Sequence, residues 1–152
     1  MSRGLGKLQR DLLEILEVNT GEIDTLTLAA LAYQAEPGVT TLYRDRITDA
    51  HHAAVRRALR NLHKRGLVVE LGRRYRCNCC HWASLKDGLP MRLRYLRDVT
   101  VLRARFGSGT RAEAEARATE IVEIQERMKQ LGIEMTDRPS AAQQQISSDA
   151  GV

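Results

Sequence analysis

The basic side chains in the middle of this sequence are the first groups whose chemistry points to a partner. Residues 44–76 contain ten Lys and Arg against three Asp and Glu, and residues 44–111 contain 17 against five, a net charge of +12. The flanking segments 1–43 and 112–152 are acidic, with net charges of −3 and −4. Guanidinium and ammonium groups bind phosphates, and the release of counterions then supplies affinity for nucleic acid. A solvated basic surface without a specific partner is the alternative interpretation.

A run of cysteines beside a histidine is the second group that could do chemistry. Thiolate and imidazole are zinc ligands by type, but structural zinc sites usually draw on separated pairs of residues and not on one short segment. Redox sensing is another interpretation, because the arginines within residues 73–76 would favour a reactive thiolate. The plainest interpretation is that small residues fill a buried face. We therefore predict no cofactor, with zinc or redox chemistry as the alternatives at Cys77, Cys79, Cys80 and His81.

Sequence motifs of the common enzyme classes are absent. Gly4, Gly6 and Lys7 lack the spacing of a phosphate-binding loop, and there is neither a Gly-x-Ser-x-Gly elbow nor a His-Glu-x-x-His pair. The glutamates spaced along residues 113–126 are typical of a solvated helix face, whereas an acid–base pair needs a pocket. We predict that the chain is not an enzyme.

Apolar periodicity predicts two helices in the first part of the chain. The first is an amphipathic helix over residues 4–18. The second is predicted over 27–35, with Thr25 or Thr27 as its cap. The connection over 36–47 stays open between a short strand and a further helical turn.

A third helix with a basic face is predicted over residues 49–65, followed by a β-hairpin. Its apolar residues recur at three- and four-residue steps, and Gly66 suits a left-handed C-cap. The two strands are predicted at 67–71 and 75–79, around a turn over 72–74.

The stretch Val-Arg-Arg-Ala-Leu-Arg-Asn-Leu-His-Lys-Arg-Gly-Leu-Val-Val at residues 55–69 resembles the third helix and first wing strand of winged helix-turn-helix transcription factors. With the flanking elements, the resemblance spans residues 5–80. It implies a helix in the major groove of double-stranded DNA and a hairpin on the adjacent backbone or minor groove. The long connection over 36–47 departs from the short turn of that family. The positions implied to contact DNA are His51, His52, Arg56, Arg57, Arg60, Lys64, Arg73, Arg74 and Arg76.

Two more helices and a polar tail are predicted beyond the hairpin. The first runs over 90–106 and begins at Pro90, a residue that suits the first turn. The second runs over 111–131 and has a thin apolar stripe, which suits packing on one neighbour. Residues 136–152 contain few large apolar residues and are predicted to be disordered.

Together these elements predict a mostly α fold with a small β-hairpin (α+β), namely a winged helix-turn-helix with a C-terminal helical extension. The predicted domains are 1–85 for DNA binding and 86–135 for homodimerisation, followed by the tail 136–152. The predicted function is sequence-specific binding of double-stranded DNA by a transcriptional regulator. No membrane partner and a cytoplasmic location are expected, because no apolar run approaches the roughly 20 residues of a membrane span. The alternatives are a protein-interaction module without DNA binding and a binder of RNA.

Overall fold

Five helices and three strands make up the part of the chain that the computed structural model describes, which is residues 4–33, 47–74 and 77–135, without the side chains of 73–79. The predicted connection, apart from its last residue, and the predicted tail lie outside the described residues. In chain order the elements are α1 (Lys7–Val18), β1 (Ile23–Asp24), α2 (Thr25–Ala32), α3 (Asp49–Lys64), β2 (Val68–Arg74), β3 (Cys77–Ser84), α4 (Leu85–Phe106) and α5 (Arg111–Leu131).

The three strands form one antiparallel sheet in the order β1-β3-β2. Within it, Trp82 of β3 lies opposite Glu70 of β2 and Ile23 of β1. The register of β2 shifts between Glu70 and Gly72, which makes Leu71 an extra residue in that strand. The mostly helical α+β class predicted from the sequence is confirmed.

Helices cover both faces of this small sheet. Because successive side chains of a strand alternate between faces, Val68 points into one core and Val69 into another. The first core lies between the sheet and helices α1, α2 and α3, and the second lies between the sheet and helices α4 and α5. The buried residues of the first core include Leu12, Leu16, Leu28, Val55, Leu59, Leu62, Val68 and Trp82. Those of the second core are Val69, Leu89, Leu93, Leu96, Ile124 and Met128.

Helix α4 approaches the sheet closely at Gly88. A Cβ atom at this position would lie 2.6 Å from the Cβ of Val69 and 3.1 Å from the Cβ of Ala83. Helix α5 then packs along α4, and Nε of Arg92 lies 2.7 Å from Oε1 of Glu120 between the two helices. The missing side chain at residue 88 therefore lets α4 pack directly on the strands.

The beginnings of the first two helices differ from the prediction. Helix α1 begins at Lys7, after Gly6 as its N-cap, and not at residue 4. Helix α2 begins at Thr25 and ends at Ala32, so the prediction of 27–35 was wrong at both ends. The cap is Asp24, whose carboxylate accepts hydrogen bonds from the amides of Leu26 and Thr27 at 3.0 Å.

The hairpin and the start of α4 also differ from the prediction. Strand β2 continues to Arg74, so the predicted turn over 72–74 is paired backbone, and β3 extends to Ser84 and not only to residue 79. Ser84 then caps α4, since its hydroxyl accepts a hydrogen bond from the amide of Asp87 at 3.3 Å. Pro90 consequently lies in the second turn of the helix and not in its first. The predicted bounds of α3 and α5 agree with the structure to within one residue.

Candidate nucleic-acid interface

Helix α3 carries apolar and basic residues on opposite faces. Val55, Leu59 and Leu62 are fully buried against the first core. At about 100° of rotation per residue, the basic side chains of the exposed face fall within an arc of about 100° that points away from that core. We call these residues the basic face: they are Arg56, Arg57, Arg60 and Lys64, and all four are exposed. Asp49, in the first turn, lies on the same side.

No carboxylate within residues 4–33, 47–74 and 77–135 forms an ion pair with the basic face. Arginines of the C-terminal helices behave differently. Arg92 pairs with Glu120 at 2.7 Å, and Arg111 pairs with Glu115 at 2.8 Å. Because unpaired cationic groups keep their donors available, the basic face can bind an external anion without first breaking an ion pair to any carboxylate that the structure describes.

The C-terminal end of α3 is held firmly to the rest of the fold. Gly66 adopts a left-handed conformation with φ of +69°, and the amide of Leu67 donates to the carbonyl oxygen of Leu62 at 2.9 Å. Helix α5 contributes as well, since the guanidinium group of Arg127 donates to the carbonyl oxygen of Gly66. These contacts turn the chain directly into β2 and fix the direction of the helix relative to the sheet.

The two histidines predicted to face DNA differ in where they lie on α3: His51 lies away from the basic face, whereas His52 lies one helical turn before Arg56. His51 is half-buried, its ring stacks on Tyr33 with centroids 4.2 Å apart, and its Nδ1 accepts a hydrogen bond from the amide of Thr48 at 3.4 Å. From Arg56 it is rotated by about 140° around the helix axis. His52 is also half-buried, and its buried Nε2 has no hydrogen-bond partner in the described part of the chain. The contacts of His51 favour a role in packing and capping.

The hairpin predicted to act as a wing is described mainly by its backbone. Arg73 lies opposite Cys80 and Arg74 opposite Cys77, at the end of the hairpin where the register shifts again. Gly72 just before them has a φ of +86°, which only glycine adopts readily. Arg76 lies outside the described residues. The backbone thus places two of the three predicted wing arginines at the far end of the hairpin from α4.

A buried hydrogen-bond chain that the sequence did not reveal joins α2 to the central strand. The indole Nε1 of Trp82 donates to Oγ1 of Thr25 at 3.0 Å, and this hydroxyl donates to the carbonyl oxygen of Cys80 at 2.9 Å. Thr25 and Trp82 are each 2% exposed. These two hydrogen bonds hold α2 against β3, near the basic end of the hairpin. The single tryptophan was the only feature of the sequence that could have pointed to them.

The cysteine cluster does not form a metal site among the residues that the structure describes, where no group of three or more candidate ligands comes together. Side chains of adjacent strand residues point to opposite faces. Accordingly, Sγ of Cys80 lies 3.5 Å from Oε1 of Glu70, whereas Nδ1 of His81 lies 3.8 Å from Oε1 of Glu22. The side chains of Cys77 and Cys79 lie outside the described residues, so zinc and redox chemistry there stay predictions.

The short strand β1 places the carboxylate of Asp24 close to His81, its partner in β3. Burial by itself raises the pKa of Asp24. Its carboxylate accepts hydrogen bonds from the hydroxyl and amide of Thr27 and from the amide of Leu26, and His81 lies nearby. These interactions lower the pKa by more than burial raises it. The net result holds the pKa of Asp24 below its ordinary value. This carboxylate therefore serves as an ionised cap for α2 and not as a proton donor.

Comparisons with known protein families, with functionally described proteins and with solved structures found no match to this chain. None of the helices described in the structure combines the length and the apolar character that crossing a membrane requires.

Proposed function

We propose that the chain is a cytoplasmic winged helix-turn-helix protein that binds double-stranded DNA through α3 and acts as a transcriptional regulator. The observation that carries the proposal is the basic face. Four cationic side chains lie on one exposed face of a helix whose opposite face is anchored in the core, and no ion pair occupies them in the described residues. Such a helix has the width and charge to enter a major groove.

The arrangement of the elements supports the winged-helix part of the proposal. Three helices pack on one face of the sheet, and the third leads directly into the antiparallel hairpin of β2 and β3. A hairpin that follows the groove-binding helix can contact the DNA backbone beside the groove. Arg73 and Arg74 lie at its far end, where this contact would take place.

The basic side chains along α3 would make two kinds of contact with DNA, to base edges and to phosphates. Arg56 and Arg57 lie toward the middle of the helix and can form paired hydrogen bonds with guanine edges, which carry sequence information. Arg60 and Lys64 lie nearer its C-terminal end and would bind phosphates, which position the protein without specifying a sequence. His51 is engaged with Tyr33 and is not needed for this contact.

A salt series on random duplex DNA tests the proposal. If all four residues of the basic face neutralise phosphates, they contribute a slope of about −3.6 to the plot of log affinity against log salt, or on the order of 100-fold between 50 and 200 mM salt. The triple variant Arg56→Ala, Arg57→Ala, Arg60→Ala should flatten the slope by up to about 2.7. Binding is measured by fluorescence anisotropy at each salt concentration.

A matched control removes the same charge from another surface. Lys86→Ala, Arg97→Ala, Lys129→Ala replaces three exposed cations of α4 and α5, and it should change the slope much less than the α3 variant does. Equal losses from both variants would mean that only the net charge matters. No binding by the unmodified protein, even at low salt, would reject DNA binding.

The second candidate is a winged-helix module that docks an acidic protein surface through the same basic face. It predicts no measurable affinity for DNA but salt-sensitive capture of an acidic partner.

The third candidate function is RNA binding. Competition between duplex DNA and duplex RNA in the anisotropy assay distinguishes it from DNA binding, because the deep, narrow major groove of RNA excludes a helix.

A further inference from the structure

Helix α4 carries a second apolar stripe that the sheet and helix α5 leave largely exposed. The guanidinium group of Arg92 lies 5.5 Å from the ring centroid of Tyr95, at the N-terminal end of this stripe. The residues of this stripe follow one another at steps of four, three and four, the spacing of a coiled-coil seam. Tyr95, Leu102 and Phe106 are 56%, 51% and 73% exposed, and Val99 is half-buried. We call this set the α4 seam: Tyr95, Val99, Leu102 and Phe106. It is distinct from the face of α4 that packs on α5 through Leu89, Leu93 and Leu96.

The α4 seam lies on the same face of α4 that packs on the sheet nearer the N-terminus of the helix. Gly88, Tyr95 and Leu102 are seven residues apart in turn, and so they lie on one face of the helix. At Gly88 this face touches Val69 and Ala83. The helix has 22 residues and is about 33 Å long, and the exposure of Tyr95, Leu102 and Phe106 shows that the sheet does not cover its C-terminal half. The sheet therefore leaves the seam exposed at the far end.

We infer that the α4 seam pairs with the same seam of a second copy of this chain, with the two α4 helices antiparallel. The composition of the tail does not suit a cover, because Ile146 and Val152 are its only large aliphatic residues beyond Met135. Parallel pairing would bring the two Gly88 faces together, and each of those faces already holds its own sheet. Antiparallel pairing overlaps only residues 95–106 and places the two sheets at opposite ends.

The charges beside the α4 seam fit this orientation. In an antiparallel pair centred between Val99 and Leu102, Asp98 lies beside the partner's Arg105, and the twofold axis repeats the contact. Neither side chain has an ion pair within the described residues. A parallel pair would instead place Asp98 beside the partner's Arg103, which is already bound to Glu113 in its own chain at 2.5 Å.

The size of the α4 seam sets the expected affinity. An aromatic side chain buries about 150–250 Å² when fully covered, so the seam offers on the order of 300–400 Å² per copy. A standard stable interface buries about 800 Å² per partner. The expected dimer therefore has a dissociation constant on the order of micromolar and not nanomolar. The inference does not depend on DNA binding, and its test contains no DNA.

Sedimentation velocity across roughly 1 to 100 μM protein tests the inference, because this range brackets a micromolar dissociation constant. The full chain should shift from monomer to dimer with concentration. Leu102→Asp should weaken the dimer by about 100-fold or more, because a twofold interface loses each contact twice. Val101→Asp is the matched control: this neighbouring residue is 65% exposed on another face of α4 and should leave association unchanged.

A charge swap tests the orientation. Asp98→Arg and Arg105→Asp should each weaken the dimer, and the double variant should restore it to within about threefold. Circular dichroism of each variant checks that the helices remain folded. A monomer at every concentration, or equal effects of Leu102→Asp and Val101→Asp, overturns the inference. Restoration by Asp98→Arg with Arg103→Asp, but not with Arg105→Asp, overturns the antiparallel orientation.

Discussion

Replacing Thr25 with valine removes one hydroxyl from the buried junction of α2 and β3 and preserves the shape of the side chain. The hydroxyl accepts a hydrogen bond from Nε1 of Trp82 and donates one to the carbonyl oxygen of Cys80. An indole nitrogen can only donate, so in Thr25→Val the buried N–H group of Trp82 loses the acceptor that it has in the native structure.

The expected cost follows from these two bonds. A buried donor without an acceptor costs about 1–3 kcal/mol, and the lost bond to the carbonyl of Cys80 adds roughly 1 kcal/mol. We therefore expect the free energy of unfolding to fall by about 2–4 kcal/mol, out of the 5–15 kcal/mol typical of a folded protein. With an m-value of about 2 kcal/mol per molar urea, the middle of the usual range, the unfolding midpoint should fall by about 1–2 M.

The assay is urea unfolding followed by the fluorescence of Trp82, which is the only tryptophan of the chain. Thr25→Ser is the control, since it keeps the hydroxyl and loses one methyl group, at a cost of about 0.8 kcal/mol. The reasoning is refuted if Thr25→Val is as stable as the unmodified protein, or if the serine and valine variants lose the same stability.

Three further changes test the packing of the sheet and its neighbouring helices. Gly88→Ala should destabilise the protein by about 1–2 kcal/mol in urea unfolding, because the new methyl group overlaps Val69 by more than the gain in helix propensity offsets. Gly66→Ala should cost about 1–2 kcal/mol by the same measurement, because φ is +69° there. The pKa of Asp24 is lowered in the folded state, so its carboxylate stabilises the fold above a pH of about 4 and loses this contribution as the pH falls toward the folded pKa. Asp24→Asn keeps a good cap but cannot titrate, and so its stability should fall less between about pH 5 and pH 3.

Each of these changes has an outcome that would contradict it. Higher stability of Gly88→Ala would mean that α4 does not approach the strands as closely as described. If adding Arg127→Ala to Gly66→Ala restored the full stability, the loss would come from overlap with the guanidinium group of Arg127 and not from the backbone conformation. An acid profile of Asp24→Asn identical to that of the unmodified protein would show that the carboxylate keeps its ordinary pKa.

The sequence predicted elements well where the signals were local. Helix α5 was bounded correctly because Thr110 and Glu113 form a capping box and Gly132 ends the helix in a left-handed conformation. The exposed face of α3 could also be anticipated, since its apolar stripe determines which side is buried. Strand β1 was missed because two residues carry no periodicity, and they become a strand only by pairing with Trp82 and His81.

Contacts between distant residues were beyond the sequence signals. The bond between Thr25 and Trp82 joins residues 57 positions apart, and nothing local to either residue predicts it. The stacking of His51 on Tyr33 likewise depends on where α2 and α3 meet. Both are consequences of packing, and the second engages a histidine whose contact with DNA, implied by the family resemblance, stays a prediction.

The sequence by itself determined that the chain is mostly helical, that its positive charge is concentrated in the middle, and that α3 has one apolar and one basic face. These properties depend on residue type and on spacing along one element. Only the tertiary structure decided that α4 and α5 pack behind the sheet and that the α4 seam stays exposed. The α4 helix carries more than one apolar stripe, and which of them is covered depends on where the sheet ends and where α5 lies.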